Sequence, residues 1–302
     1  MIELPSLKEN SVVVIGGPTA SGKSGLAIDI AKAYNGEVIN ADSMQIYRGL
    51  PVLSAVPSLE ERQGIPHHLY EIYEPSVNGT VVDWLNLAVA KIREVWARGK
   101  LPVVVGGTGM YLDNLVNGTT PIPEPDEKIR QQILSLQRRM NVDEFYERLR
   151  QVDAAGAAML NPNDTTRVRR AYEIFEQTGI SIAEWYQKPM VKKLPEANFI
   201  TIKLVPSAEV LDERCYLRFD KMIAAGAVDE VRRLLQLGLD EKLPAMKMLG
   251  VPELANYVRG KCSLDKSVEE AKLHTRQYAK RQRTWFRNKF EADVVFDKIY
   301  SY

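Results

Sequence analysis

The run Gly17-Pro18-Thr19-Ala20-Ser21-Gly22-Lys23-Ser24 has the spacing G-x-x-x-x-G-K-S and the chemistry of an anion cradle. It lies between a short apolar run, Val12 to Ile15, and a segment in which Leu26, Ala27, Ile30 and Ala31 recur at helical spacing. A strand, a glycine loop and a helix in that order aim backbone N–H groups and the positive end of the helix dipole at one point, where phosphate oxygens are held. Lys23 adds a point charge, and Ser24 offers a hydroxyl to a phosphate-bound Mg2+. Hydrolases, kinases and transferases all use such a loop, so it specifies a phosphate-bearing ligand and not a reaction. A guanine-specific switch would show Asn-Lys-x-Asp at a strand end; Asn288-Lys289-Phe290-Glu291 comes nearest and lacks the Asp. A nucleoside kinase stays open on this run alone.

A second polar cluster, Asp42-Ser43-Met44-Gln45, closes the stretch that begins at Glu37. If its strand neighbours the first, Asp42 stands beside the phosphate loop, able to bind Mg2+ through water or to accept a proton from a nucleophile. The plainer alternative is the N-cap of a following helix. Gly106-Gly107-Thr108-Gly109 follows Val103 to Val105, and its hydroxyl and backbone can reach a leaving group's oxygen, although an ordinary strand-to-helix turn has the same composition. From Lys272 to Phe290 the chain carries Lys272, Arg276, Lys280, Arg281, Arg283, Arg287 and Lys289 without one acid, interleaved with Tyr278, Trp285 and Phe286. Such a stretch suits a polynucleotide backbone, its aromatics stacking on unpaired bases. The competing reading is a solvated helix face whose aromatics pack inward.

These residues need a scaffold. Glu37 to Ala41, Leu101 to Val105 and Asn198 to Val205 read as further buried strands, with Val294 to Phe296 as a candidate last one, and Val82 to Arg98 reads as an amphipathic helix. Strands alternating with helices predict an α/β fold like that of the P-loop NTPases, a parallel sheet covered on both faces, whose ligands collect at the carboxyl ends of the strands. Pro121, Pro123 and Pro125 punctuate a linker. Beyond it Lys128 to Met140, Val142 to Gln151 and a helix running through Ala171 to Thr178 carry no strand signal. The expected organisation is a core of residues 1–117 and 198–302, basic and helical in its later part, with an inserted all-helical lobe at 118–197.

The 302 residues, 45% hydrophobic and 26% charged, exclude a disordered chain, a collagen and a membrane channel. Forty basic against 39 acidic residues leave a formal charge of +1, so attraction to nucleic acid must come from local patches. Cys215 and Cys262 with His67, His68 and His274 form no zinc spacing. The start of the chain lacks the pattern of a signal peptide, and no apolar run is long enough to span a bilayer, so the expected compartment is the cytoplasm.

Taken together, these runs resemble the tRNA dimethylallyltransferases, also called tRNA isopentenyltransferases. The phosphate loop, Asp42-Ser43-Met44-Gln45-Ile46-Tyr47 and Gly106-Gly107-Thr108 carry the likeness, joined by Pro66-His67-His68, Asn163-Asp164 with Arg167 and Arg170, and Arg276-Gln277-Tyr278-Ala279-Lys280-Arg281-Gln282. It extends over nearly the whole chain. The resemblance implies transfer of the dimethylallyl group of dimethylallyl diphosphate to N6 of adenine 37 in tRNAs that read codons beginning with U. It implies that Gly17, Pro18, Thr19, Ala20, Ser21, Gly22, Lys23 and Ser24 hold the diphosphate, with Mg2+ on Ser24. By the same likeness Asp42 is the general base on N6, Thr108 steadies the bridging oxygen, and Arg214 and Arg218 lie near the leaving group. Asp42, Ser43, Met44, Gln45, Arg130, Thr166, Arg167, Val168, Arg169, Arg170 and Arg281 match segments that touch the tRNA anticodon stem-loop, which makes the inserted lobe a tRNA-binding domain. A monomer is implied.

The chain departs from the family pattern in two places. Leu53-Ser54-Ala55-Val56-Pro57 stands where members commonly carry Gly-Thr-Ala-Lys-Pro, and the family's Gly-Tyr is Gly250-Val251. With no zinc finger in the sequence, unlike some eukaryotic relatives, the form expected from the resemblance is the bacterial type. Three alternatives remain: an adenylate isopentenyltransferase acting on free nucleotides, a P-loop small-molecule kinase, and a non-catalytic, nucleotide-sensing RNA-binding protein. The arginines at 167, 169 and 170 and the basic stretch oppose the first, since a mononucleotide needs no such surface. The carboxylate of Asp42 is unnecessary to the last.

Overall fold

The computed structural model describes residues 4–300. At its centre lies an all-parallel sheet of β1 (Ser11–Gly16), β2 (Gly36–Asn40), β3 (His67–His68), β4 (Leu101–Gly106), β5 (Asn198–Leu204) and β6 (Val294–Phe296), ordered β3-β2-β4-β1-β5-β6. Helices α1 (Lys23–Ala33), α2 (Pro51–Ser54), α3 (Val81–Ala97) and α4 (Gly109–Asn117) come first. An all-helical stretch follows: α5 (Glu127–Arg138), α6 (Val142–Val152), α7 (Ala154–Ala158), α8 (Thr165–Thr178) and α9 (Ile182–Trp185). Then come α10 (Ala208–Ala224), α11 (Ala227–Gln236), α12 (Val251–Val258) and α13 (Leu264–Lys289). Among the described residues no helix is long and apolar enough to cross a membrane.

Strands β1, β2 and β4 are buried along their whole length. That is why their sequences are continuous apolar runs and do not alternate: both faces of a parallel sheet are covered. Val13 and Ile15 of β1 pack with Leu26 and Ile30 of α1 on one face. Val12 and Val14 lie on the other, with Trp84, Leu85 and Ile92 of α3 and with Phe286 and Phe290 from the end of α13. Helix α3 starts where it does because Thr80 and Asp83 form a reciprocal capping box that satisfies two otherwise unpaired N–H groups. A third cluster, built from Leu50, Leu53, Phe219, Met248, Val251 and Leu254, joins α2 to α10, α11 and α12.

The chain divides into two compact units, residues 1–116 with 194–302 and residues 117–193. The second has its own core of Ile133, Phe145, Leu149, Val168, Tyr172 and Ile174. Its helices are capped by Asn141, Asp153 and Asp164, each accepting a backbone N–H in the first turn. Strand β2, which ends at Asn40 just before Asp42, does not neighbour the strand of the phosphate loop, because β4 lies between β2 and β1. Strand β3, two residues long, is too short to leave any pattern in the sequence.

Candidate active site

The phosphate loop fills the turn between β1 and α1. Gly22, at φ 89, forms the left-handed N-cap of α1, and a Cβ there would run into the carbonyl oxygen of Tyr300. The Nζ of Lys23 donates to Pro18 O at 3.2 Å. Burial pulls the Lys23 pKa down to about 8, the Asp42 carboxylate opposing this and the Arg218 guanidinium adding to it. Ser21 is fully buried, and its Oγ has no hydrogen-bond partner among the described residues. Ser24, in the first turn of α1, is exposed.

Asp42 is placed by the residue before the turn. The buried Asn40 side chain accepts from Asp42 N at 2.9 Å and donates to Leu69 O at 3.0 Å, while Asp42 Oδ1 accepts from Met44 N at 3.0 Å. The carboxylate therefore caps a tight turn, and no helix starts there. Burial, and after it the charge of Asp42, pushes the phenols of Tyr70 and Tyr278 up, so both stay protonated donors. Thr108 follows the end of β4, the strand between the other two. Its Oγ1 accepts from Ser43 N at 2.9 Å and donates to Ser43 Oγ at 3.1 Å, which fastens its loop to the Asp42 turn.

Helix α10 adds Arg218, whose Nη1 donates to Thr19 Oγ1 at 3.3 Å and whose pKa burial pushes down. Arg214, one turn earlier on α10, is exposed and does not line the cavity. That cavity, about 300 Å3, brings Thr19, Asp42, Arg218, Arg281 and Gln282 together with an apolar wall that includes Leu53, Phe219 and Met248. Leu53, in the run where the chain departs from the expected family pattern, is thus part of the wall. The side-chain amide of Gln45, by contrast, is engaged with the carbonyls of Ser54 and Ala55 at 3.0 and 2.7 Å.

The basic stretch needs revision. Lys272 pairs with Asp220 at 2.6 Å, Arg276 pairs with Asp212 at 2.7 Å, and Arg283 donates to Pro206 O at 2.6 Å. These three cations hold α13 to α10 and to the loop before it. Phe286 is fully buried and so is no base-stacking platform, while the half-buried Trp285 packs against it edge to face on the sheet side. Tyr278 lines the cavity.

The remaining expected tRNA contacts belong to the helical unit. Arg130 and Arg170 share the Glu124 carboxylate at 2.7 and 3.3 Å, Arg167 pairs with Asp164, and Arg169 pairs with the buried Glu173. Thr166 is exposed, whereas Val168 is a core residue, 1% exposed, with no surface to offer a ligand. Two polar residues escaped individual notice in the sequence. Glu230, only 2% exposed, holds the amides of Val52 and Leu53, and Gln282 reaches two of the site's loops. Nothing local marks Glu230; Gln282 lies in the Arg276 to Gln282 run that carried the family resemblance.

The IPP transferase family model matches residues 45–289, beginning just past the phosphate loop and Asp42. A tRNA dimethylallyltransferase of Rhodospirillum centenum is 46% identical over 95% of this chain and 91% of its own length. The chain belongs to the IPP transferase family. Another of its tRNA dimethylallyltransferases, from Bradyrhizobium, is 43% identical over 92% of each chain. Among solved structures of this family, the full-length tRNA isopentenylpyrophosphate transferase of Bacillus halodurans is 35% identical. It aligns at a TM-score of 0.68 over 97% of this chain and 90% of its own. A eukaryotic dimethylallyltransferase, captured acting on tRNA, is 33% identical and aligns at 0.81 over 92% of this chain and 70% of its own.

Proposed function

We propose that this IPP transferase moves the dimethylallyl group of dimethylallyl diphosphate to N6 of adenine 37 in tRNAs that read codons beginning with U. The single observation carrying this reading is that one cavity is lined by the phosphate loop through Thr19, by Asp42 and by Arg218. An anion cradle, a proton acceptor and an apolar wall in one space are what prenyl transfer to a weak nucleophile requires.

The adenine amino group is a poor nucleophile because its lone pair is delocalised into the ring. As the N6–C1 bond forms and the C1–oxygen bond to diphosphate breaks, Asp42 takes the N6 proton. Negative charge then gathers on the diphosphate. In this reading Lys23, Arg218 and the amides at the start of α1 stabilise that charge, and the Thr108 hydroxyl, which accepts from Ser43 N and donates to Ser43 Oγ, turns from Ser43 Oγ to the bridging oxygen when the diphosphate is bound. Leu53, Phe219 and Met248 offer the dimethylallyl group an apolar surface. The target base must leave its stack to enter, at a cost of a few kcal/mol that a loop nucleotide meets more readily than a paired one.

Mg2+ usually keeps several waters and takes only one or two protein ligands beside phosphate oxygens. The exposed Ser24 hydroxyl fits that donor set, and among the described residues no group of three His, Cys, Asp or Glu forms an all-protein cage. When bound, the ion would neutralise diphosphate charge. In the helical unit Arg130, Thr166, Arg167, Arg169 and Arg170 are proposed contacts for the anticodon stem, the paired arginines exchanging their carboxylates for phosphates. The enzyme is proposed to act as a cytoplasmic monomer.

Incubation with unmodified tRNA, Mg2+ and labelled dimethylallyl diphosphate tests the proposal. Label is expected in adenine 37, and RNA that stays unlabelled would overturn it. Excess AMP is expected not to compete; if AMP is labelled instead, the enzyme is an adenylate isopentenyltransferase.

A further inference from the structure

We propose that Gln282 is a positioning residue that locks the phosphate loop to the Thr108 loop, so that leaving group and acceptor base meet Asp42 in one fixed register. The functional consequence rests on the prenyl-transfer reading above; the bracing itself rests on geometry alone. Strands β1 and β2, which carry the phosphate loop and Asp42, share no ladder hydrogen bonds because β4 separates them. Their loops meet through the loop after β4, which Thr108 N ties to Ala41 O at 3.3 Å and to which side chains add the remaining links. Thr108 bonds Ser43, beside Asp42, which covers one half of the gap.

Gln282 covers the other half. It is 7% exposed on α13; its Oε1 accepts from Thr19 N at 2.9 Å and its Nε2 donates to Gly107 O at 2.8 Å. One planar amide thus satisfies a donor in the phosphate loop and an acceptor in the Thr108 loop. Only a side chain with both functions and this reach does so: Glu cannot donate, Met does neither, and Asn is one methylene shorter. Gly107 accommodates the brace, since a Cβ there would stand 2.6 Å from Gln282 Nε2. The relay runs from Thr19 through Gln282 to Gly107 and Thr108, then through Ser43 to Asp42. Transfer between separately bound substrates depends steeply on such a register, a misplacement of about 1 Å costing on the order of a hundredfold in rate.

The decisive variant is Gln282→Met, alone and with Thr108→Ala. In single-turnover transfer to tRNA, Gln282→Met is expected to lower the rate at saturating prenyl diphosphate at least about 30-fold, with KM for that substrate changed less than about threefold. In the Thr108→Ala background the same change is expected to cost less than about threefold more, because the group being positioned is already gone. Equal losses in both backgrounds, or a single variant within threefold of wild type, would overturn the proposal. Hydrogen exchange supplies a readout that needs no RNA. Peptides covering residues 17–24 and 107–109 are both expected to lose protection in Gln282→Met, while those within β1 and β4 do not. A change in only one loop, or in neither, also overturns it. Gln282→Asn serves where Met impairs folding and carries the same expectations. Wild-type enzyme that fails to label RNA would speak against the functional reading, and the exchange experiment would still decide the brace.

Discussion

Strand β2 begins beside one carboxylate and ends beside another, and the two are held in opposite ways. Glu37, 3% exposed at the amino end, is surrounded: Arg98 donates from Nε and Nη2 at 3.2 and 2.6 Å, His68 Nε2 lies at 2.6 Å, and Lys100 stands at 3.2 Å. Burial alone would raise its pKa, but the hydrogen bonds from Arg98, His68 and Lys100 outweigh it and hold the carboxyl at about 2. The Asp42 carboxylate, at the carboxyl end, accepts one hydrogen bond among the described residues, from Met44 N, and otherwise lines the cavity near Lys23 and Arg218. A carboxylate whose acceptor sites are all taken by donors, Arg98 and Lys100 among them cations, has no use for a further proton. One that keeps an oxygen for the cavity can take a proton from a substrate. The sheet thus separates anchoring from chemistry along one strand, with chemistry at the end where parallel sheets place it.

The sharpest way to break this contrast is to remove the acid at each end. Asp42→Asn is expected to slow transfer on the order of a thousandfold, as for the loss of a general base, while tRNA affinity stays within a few-fold. Single-turnover labelling beside a filter-binding titration measures both, and undiminished turnover would put Asp42 in the same class as Glu37. Glu37→Gln should do the reverse: a loss of about 3 kcal/mol in urea unfolding, with turnover per folded molecule unchanged. The pH dependence has a definite sign. The Glu37 carboxyl is held below its ordinary 4.5, so its stabilisation is complete above pH 4.5 and is lost as pH falls towards about 2. The acid limb of stability over that window is expected to flatten in Glu37→Gln.

Lys23 gives a smaller and graded effect. Burial places its pKa at about 8, so the free enzyme loses this charge as pH rises through 8, well before an ordinary lysine would. kcat/KM for the prenyl diphosphate, which reports the free enzyme, should fall up to about tenfold per pH unit above 8. Lys23→Arg keeps its charge throughout and should move that limb beyond the measurable range, whatever it does to the plateau. A limb unmoved by the substitution would assign the titration to another group.

What the sequence made legible follows from how local each signal is. The phosphate loop, the strand ends at Asp42 and Thr108, and the parallel sheet were readable because each rests on a run of neighbouring residues with one dominant physical cause. The strand order was not, since nothing local says that β4 inserts between β1 and β2. The aromatics of α13 show the same limit. Composition suggested stacking on bases, but a residue's partner across the fold decides, and Phe286 lies under the sheet. Val168 sits among the arginines of α8 yet turns into the core of its unit, because neighbours in a helix face different sides. Gln282 and Glu230 act over sequence separations of 263 and 178 residues, which no spacing rule can reach.

Glu230 supplies the mildest and most discriminating test of the contrast. Like Glu37 it is buried, but it faces backbone amides in place of cations: Oε1 accepts from Val52 N at 2.8 Å and Oε2 from Leu53 N at 3.0 Å. Burial raises its pKa, and these two amides only partly offset the shift. For an acid raised in the folded state, the charged form opposes folding once pH exceeds the unfolded value, so a neutral side chain loses little at pH 7. Glu230→Gln sheds the charge but keeps an acceptor oxygen for only one of the two amides, so it is expected to cost about 1 kcal/mol, against about 3 kcal/mol for Glu37→Gln. Glu230→Ala, which leaves both amides without a partner, should cost about 2 kcal/mol. It should also raise KM for the prenyl diphosphate a few-fold, because the start of α2 is what holds Leu53 in the cavity wall. If Gln and Ala prove equally costly, the Glu230 charge itself does the holding, and burial without a cation no longer separates it from Glu37.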